Sequence, residues 1–171
     1  MPQRLIFQGF VSRSKHARCV IAATTIVIAA CGGSGSASDV CDPIRTEPLA
    51  SDWLLHVLPG ADAAYNSLPP TSGPHIAWQA PPVLVRQLEP AEQVGILETG
   101  SVLIQYRPAD IGQDDVDALV IELPDRAHLA PNDQLPAPVV FTAHLTKQLC
   151  SDLSVSEATR FAADHARDPV G

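Results

Sequence analysis

No glycine-rich phosphate cradle occurs in this chain, neither the Walker spacing nor the dinucleotide fingerprint. Nucleotide-driven chemistry therefore has no sequence support. No internal repeat is visible. No apolar run approaches the roughly 20 residues needed to cross a bilayer core. Cations are scarce as well, with 11 Lys and Arg against 19 Asp and Glu. Four of those cations (Arg4, Arg13, Lys15, Arg18) and none of the acids precede residue 31. From there on seven cations face nineteen acids, a formal charge of −12 with His neutral. Such a surface repels phosphate backbones and anionic headgroups, which argues against nucleic-acid binding and against electrostatic docking on a membrane.

What is present at the start is a targeting pattern. The four early cations form a basic region, and Val20 to Ala30 is an uncharged run of eleven residues. Too short to span, it reads as the core of a signal peptide over residues 1–30. It ends in Ile28-Ala29-Ala30-Cys31, which resembles the lipobox of bacterial lipoproteins, where the cysteine is lipidated (palmitate among the acyl chains) and becomes the mature N-terminus. The Gly/Ser-rich stretch from Gly32 to Ser38 suits a solvated tether. These features predict a lipid-anchored cell-envelope protein on the extracytoplasmic side of the cell membrane. An ordinary cleaved signal with a chance cysteine is the alternative. Of four cysteines, Cys19 goes with the leader and Cys31 takes the lipid, leaving Cys41 and Cys150 in an oxidising compartment. A Cys41–Cys150 disulfide is expected, with two free thiols as the alternative.

Beyond an irregular segment at 31–52, one globular domain is expected over 53–168. Trp53 to Val57 suits a short strand or a packed loop, and Ala61 to Pro82 an ordered loop pegged by Tyr65 and Trp78. Val94 to Tyr106 alternates apolar and other residues around Thr99-Gly100, predicting a β-hairpin over 94–106. Val116, Leu119, Val120 and Leu123 lie at helical spacing, with Asp114, Asp115 and Asp117 early in the run, predicting a helix over 113–123. Pro124 ends that helix, and residues 124–138, with Pro131, Pro136 and Pro138 further on, read as loop. Val139 to Leu149 predicts a third strand, and Ser154-Val155-Ser156-Glu157 is a capping-box spacing that opens a helix over 155–166. The expected class is α+β, a small antiparallel sheet with helices against it.

The stretch Tyr65-Asn66-Ser67-Leu68-Pro69-Pro70-Thr71-Ser72-Gly73-Pro74-His75 is stiff before any tertiary contact forms, and a histidine stands at its end. Together with His56-Val57 and Gly60, it resembles the signature of a family of secreted or membrane-anchored bacterial proteins known as domain of unknown function 3105. Val94-Gly95-Ile96-Leu97-Glu98-Thr99-Gly100, the strand ending in Gln105-Tyr106, Phe141-Thr142-Ala143 and the helix from Glu157 to Arg167 extend the resemblance over about residues 53–168. The family pattern carries histidines where this chain has Gly95 and Thr99. Several histidines and a glutamate imply a metal site of zinc or copper type. Of that set His56, His75 and Glu98 remain, and His144 stands where an aromatic residue is usual.

Against the metal reading stand blander ones: His75 bonded to its own loop, His56 and His144 structural, Glu98 solvated. His128 and His165 have no ligand-type neighbour at suitable spacing. Ser72 lacks a strand-to-helix elbow and an orienting acid, so no catalytic constellation emerges. Two hypotheses follow. The first is a non-catalytic binding or structural domain, with Tyr65, Pro70, Thr71, Ser72, Gly73 and Pro74 forming a structural loop and a protein or small molecule as partner. The second is a metal-binding domain using His56, His75, Glu98 and His144.

Overall fold

The computed structural model describes residues 40–168, so the predicted leader, Cys31 and the Gly/Ser tether lie outside the described residues. Five strands and three helices follow in the order β1 (Arg45–Thr46), α1 (Pro90–Glu98), β2 (Val102–Tyr106), α2 (Gln113–Ile121), β3 (Ala127–Pro131), β4 (Val139–Ala143), β5 (Thr146–Cys150) and α3 (Val155–His165). The strands form one sheet in the order β1-β5-β4-β2-β3. Every neighbouring pair is antiparallel except β2 and β3, which run parallel because α2 carries the chain back between them. The α+β class expected from the sequence is thus found, in a mixed and mostly antiparallel sheet.

Both faces of the sheet are covered. Val102 and Ile104 of β2 pack with Leu119 of α2, Phe141 of β4 and Phe161 of α3. Leu103, between them, points the other way and joins Ile96 and Leu97 of α1 with Leu84 and Leu88. That alternation is the period-two geometry of a strand buried on both sides. A chain of buried amides crosses the α1 side: Gln105 Nε2 donates to Gln93 Oε1 at 3.2 Å, and Asn132 Nδ2 donates to Gln105 Oε1 at 2.7 Å. Gln93 Nε2 in turn donates to the Leu88 carbonyl. Each buried amide satisfies the next, so the chain adds specificity without leaving an orphaned group among its links.

The predicted hairpin over 94–106 is corrected in its first arm. Residues 94–98 belong to α1, and only Val102–Tyr106 is strand. Six of the nine α1 residues are buried, so the one-sided apolar period that marks a surface helix is lost. Signals for the helix stand at its start: Pro90 occupies its first turn, and Glu92 Oε2 accepts from the Glu89 backbone N–H at 2.9 Å. Arg86 pairs through both terminal nitrogens with Glu92, and that bonding holds the carboxyl below its usual range.

The single strand expected over 139–149 is a hairpin instead. β4 and β5 are joined through His144-Leu145, with Leu145 in the left-handed region at φ 58°. The loop expected over 124–138 contains β3, whose Pro131 sits at its last position on the edge of the sheet. The predicted helices at 113–123 and 155–166 are found as α2 and α3, and Ser154 caps α3 by accepting from the Glu157 N–H. The Cys41–Cys150 disulfide is formed, tying the segment before β1 to the end of β5. Among the described residues no helix is long and apolar enough to cross a membrane.

Candidate functional site

The proline-rich loop is the joint at which the molecule's parts meet. Residues 69–75 are buried, and Thr71 and Ser72 are fully so. Gly73 has φ 135°, and a Cβ there would lie 3.1 Å from the Tyr65 ring. Glycine is therefore required twice over, by the backbone and by the packing. Tyr65 closes the loop by donating its hydroxyl to the Pro74 carbonyl at 2.8 Å, and burial raises the pKa of that hydroxyl, with Asp52 and Glu89 adding to the shift. The Ser72 Oγ accepts from the Ala50 N–H at 3.0 Å, and the Leu145 N–H donates to the Thr71 carbonyl at 3.2 Å. Backbone bonds from His75 N–H to Leu55 and from Val57 N–H to His75, both 2.9 Å, fasten the segment carrying His56 alongside. Ser72 is thus committed to backbone bonding and offers no nucleophile.

His75 is held in one tautomer. Its Nδ1 lies 3.2 Å from the Gly73 carbonyl, which can only accept, so Nδ1 carries a proton, and in the neutral ring Nε2 is then the acceptor. The exposed His56 ring meets it edge to face, with centroids 4.5 Å apart. These two imidazoles, Trp78, Gln79 and Glu98 line an open cleft of about 560 Å³. Trp78 is fixed as a wall because its indole N–H donates to the Glu92 carbonyl at 3.1 Å.

Gly95 and Thr99 line the same cleft. Gly95 has its own reason to be glycine. A Cβ there would stand 2.2 Å from the Ile76 carbonyl oxygen and 3.1 Å from Trp78 Cδ1. Any side chain at this position requires the 76–78 segment to lie farther from α1. The Thr99 hydroxyl is turned back onto the Ile96 carbonyl at 2.7 Å.

The four sequence-predicted ligands fall into two pairs. His56 sits against His75. His144, in the β4–β5 turn, places Nε2 3.6 Å from Glu98 Oε1. Among the described residues no group of three or more His, Cys, Asp or Glu side chains is spaced to hold a metal ion. Glu98 lines the cleft beside His56 and His75 and also a second cavity with His144. Sequence reasoning missed Gln79 and the positioning role of Trp78. The only signal was their place three and four residues after His75, on the exit from the stiff loop.

The architecture defines an α+β domain in which a proline-rich clasp presents two histidines to an open cleft. By family the assignment is direct: the chain belongs to the protein family of unknown function DUF3105, whose model matches residues 56–171. A search of curated proteins and a search of solved structures each found no match to the chain.

Proposed function

We propose that the domain is a non-catalytic binding module of the cell envelope, and that the cleft beside the His56–His75 pair is where its ligand sits. One observation carries the reading: a concave site of about 560 Å³ whose His75 imidazole and Trp78 indole are each bonded to a backbone carbonyl. Binding sites are concave, preformed and lined by aromatic groups with a few placed polar atoms. Nothing around Ser72 or the histidines supplies the nucleophile-base-orienter geometry that catalysis needs. The lipid anchor on Cys31 belongs to the same proposal, supported by Ile28-Ala29-Ala30-Cys31 and the Gly/Ser stretch behind it.

Metal binding is the second reading, favoured by the tautomer of His75. A ligating imidazole commonly donates its other N–H to a backbone carbonyl, as His75 does to Gly73. Two imidazoles and a carboxylate across the cleft would need side-chain rearrangement to converge on one ion.

The test uses the full chain purified from membranes in mild detergent, dialysed against Zn²⁺ and Cu²⁺ and, in parallel, screened against small molecules by ligand-observed NMR. The expected result is a saturable small-molecule ligand lost in His56→Ala and His75→Ala, with no stoichiometric metal. Near-stoichiometric metal that disappears in His75→Ala establishes the second reading in place of the first. No saturable ligand of either kind overturns both. For the anchor, Cys31→Ser should release the protein from membranes or block its maturation, and unchanged membrane retention would refute lipidation.

A further inference from the structure

The short parallel pairing beside the clasp stops after one rung. The His75 N–H donates to the Leu55 carbonyl and the Val57 N–H to the His75 carbonyl, both at 2.9 Å, with His56 opposite His75. A parallel ladder advances two residues at a time, so its next rung would set Ala77 between the Val57 carbonyl and the N–H of residue 59. Residue 59 is proline and has no N–H to give. There the chain turns away: Gly60 takes φ 76°, and its N–H donates to Glu89 Oε2 at 3.1 Å.

What remains is an open edge. Among the described residues, the backbone N–H and carbonyl groups of Ala77 and Gln79 pair with no other backbone group. Ile76, beside them, donates its N–H to the Ala91 carbonyl of α1 at 3.1 Å. In an extended chain alternate residues turn their backbone groups to opposite edges, so with Ile76 turned to α1, Ala77 and Gln79 turn away from it. Burial follows the same period of two, with Ala77 and Gln79 exposed and Ile76, Trp78 and Ala80 half-buried. The segment is fastened at its far end as well, where Val83 bridges Leu129 of β3 and the Leu84 N–H donates to the Leu129 carbonyl at 2.8 Å. Residues 77–79 are thus a template held at both ends, with no strand beside it.

Ala77 and Gln79 both line the cleft, so the open edge is one of its walls. An adjoining hollow of about 330 Å³ shares Trp78, Gln79 and Thr99 with the cleft and adds Ile96 and His128. The two together leave room for the side chains of a strand laid along the edge. An extended peptide offers a donor and an acceptor on one edge at every second residue, about 6.6 Å apart, which is the repeat that Ala77 and Gln79 present as alternate residues. The acidic balance of the chain favours a peptide of net positive charge. Given the cleft as the ligand site, on which this reading rests, we propose that its occupant is a short cationic peptide that adds as a strand along Ala77 to Gln79.

The full chain in detergent is titrated with a positional-scanning library of acetylated, amidated hexapeptides carrying a lysine at each end, and the tightest binder is followed by NMR amide exchange. Saturable binding is expected, with exchange at the Ala77 and Gln79 N–H groups slowed about tenfold or more at saturation. Methylating the peptide's backbone nitrogens one at a time should weaken it about fivefold or more at every second position and little at the positions between. No saturable hexapeptide, unchanged exchange at Ala77 and Gln79, or a methylation profile without a period of two overturns the strand. A small molecule that saturates the cleft when no hexapeptide does refutes the peptide and leaves the binding module standing, whereas the absence of any ligand overturns both. Slowed exchange at both amides on concentrating the peptide-free chain would assign the edge to a second copy of this chain and overturn the peptide.

Discussion

Gly95→Ala should destabilise this protein, although the same exchange in an unhindered helix stabilises. Alanine gains about 1 kcal/mol over glycine in a helix interior, because it restricts the unfolded chain and favours helical backbone. Position 95 lies inside α1, so that gain is available. Against it stands the 2.2 Å approach between a Cβ at 95 and the Ile76 carbonyl oxygen. Relief needs a displacement of about 1 Å to restore van der Waals distance. The displaced segment carries two bonds to α1, Ile76 N–H to the Ala91 carbonyl and Trp78 indole N–H to the Glu92 carbonyl, each 3.1 Å. Losing both costs roughly 2–3 kcal/mol, which leaves a net loss of about 1–2 kcal/mol and a fall in Tm of several degrees. Urea unfolding followed by tryptophan fluorescence and far-UV circular dichroism measures it directly. A variant as stable as the parent, or more stable by the propensity gain, would refute the claim that α1 and the 76–78 segment are in close contact through this glycine.

Removing the Cys41–Cys150 bridge with paired serines opens a loop of 109 residues' separation, which in the chain-entropy picture lowers stability by up to about 5 kcal/mol; a urea-measured cost below about 1 kcal/mol would sink that account. Tyr65→Phe removes the 2.8 Å bond to Pro74 and should lose about 1 kcal/mol in the same assay, whereas no change would mean the clasp does not depend on it. His165 gives a pH signature of known sign. Burial sets its folded pKa below the ordinary 6.5, so the unfolded chain binds the proton more readily, and stability that is present above about 6.5 declines as pH falls below it. Tm measured from pH 7.5 to 5 should show this decline in the parent and a smaller one in His165→Phe; parallel curves would contradict it.

The parts of this fold that were legible in the sequence are those with one wet face or a capping residue. α3 shows both, with Ser154 as cap and Ala158, Phe161 and Ala162 buried along one side. α2 shows acids at its start and buries Val116 and Leu119, although Val120, at the same apparent face, is 38% exposed. α1 defeated pattern reading because its surroundings bury Gln93 and Gly95 along with Val94, Ile96 and Leu97, which erases the polar half of the period. The β4–β5 turn was hidden for another reason: a leucine holds the left-handed position where glycine or asparagine would have announced it. β3 is recognisable only through its partner, because a parallel pairing with β2 requires a crossover that no local signal reports. At the site, the stiffness of residues 65–75 and the prominence of His75 were both readable. The pairing of His56 with His75, and of His144 with Glu98, depends on backbone bonds between segments far apart in sequence.

The disulfide has a mechanical consequence. β1 is only two residues long, and its pairing with β5 at Arg45 and Thr46 would peel readily under load applied from the N-terminal side. Cys41 precedes it, and is bonded to Cys150 at the last position of β5. Tension arriving along the chain therefore passes through a covalent bond into a strand flanked on both sides by neighbours, before any hydrogen bond of β1 is strained. The clasp and both cavities lie downstream of that point in the load path, so their geometry is insulated from traction on the N-terminal segment.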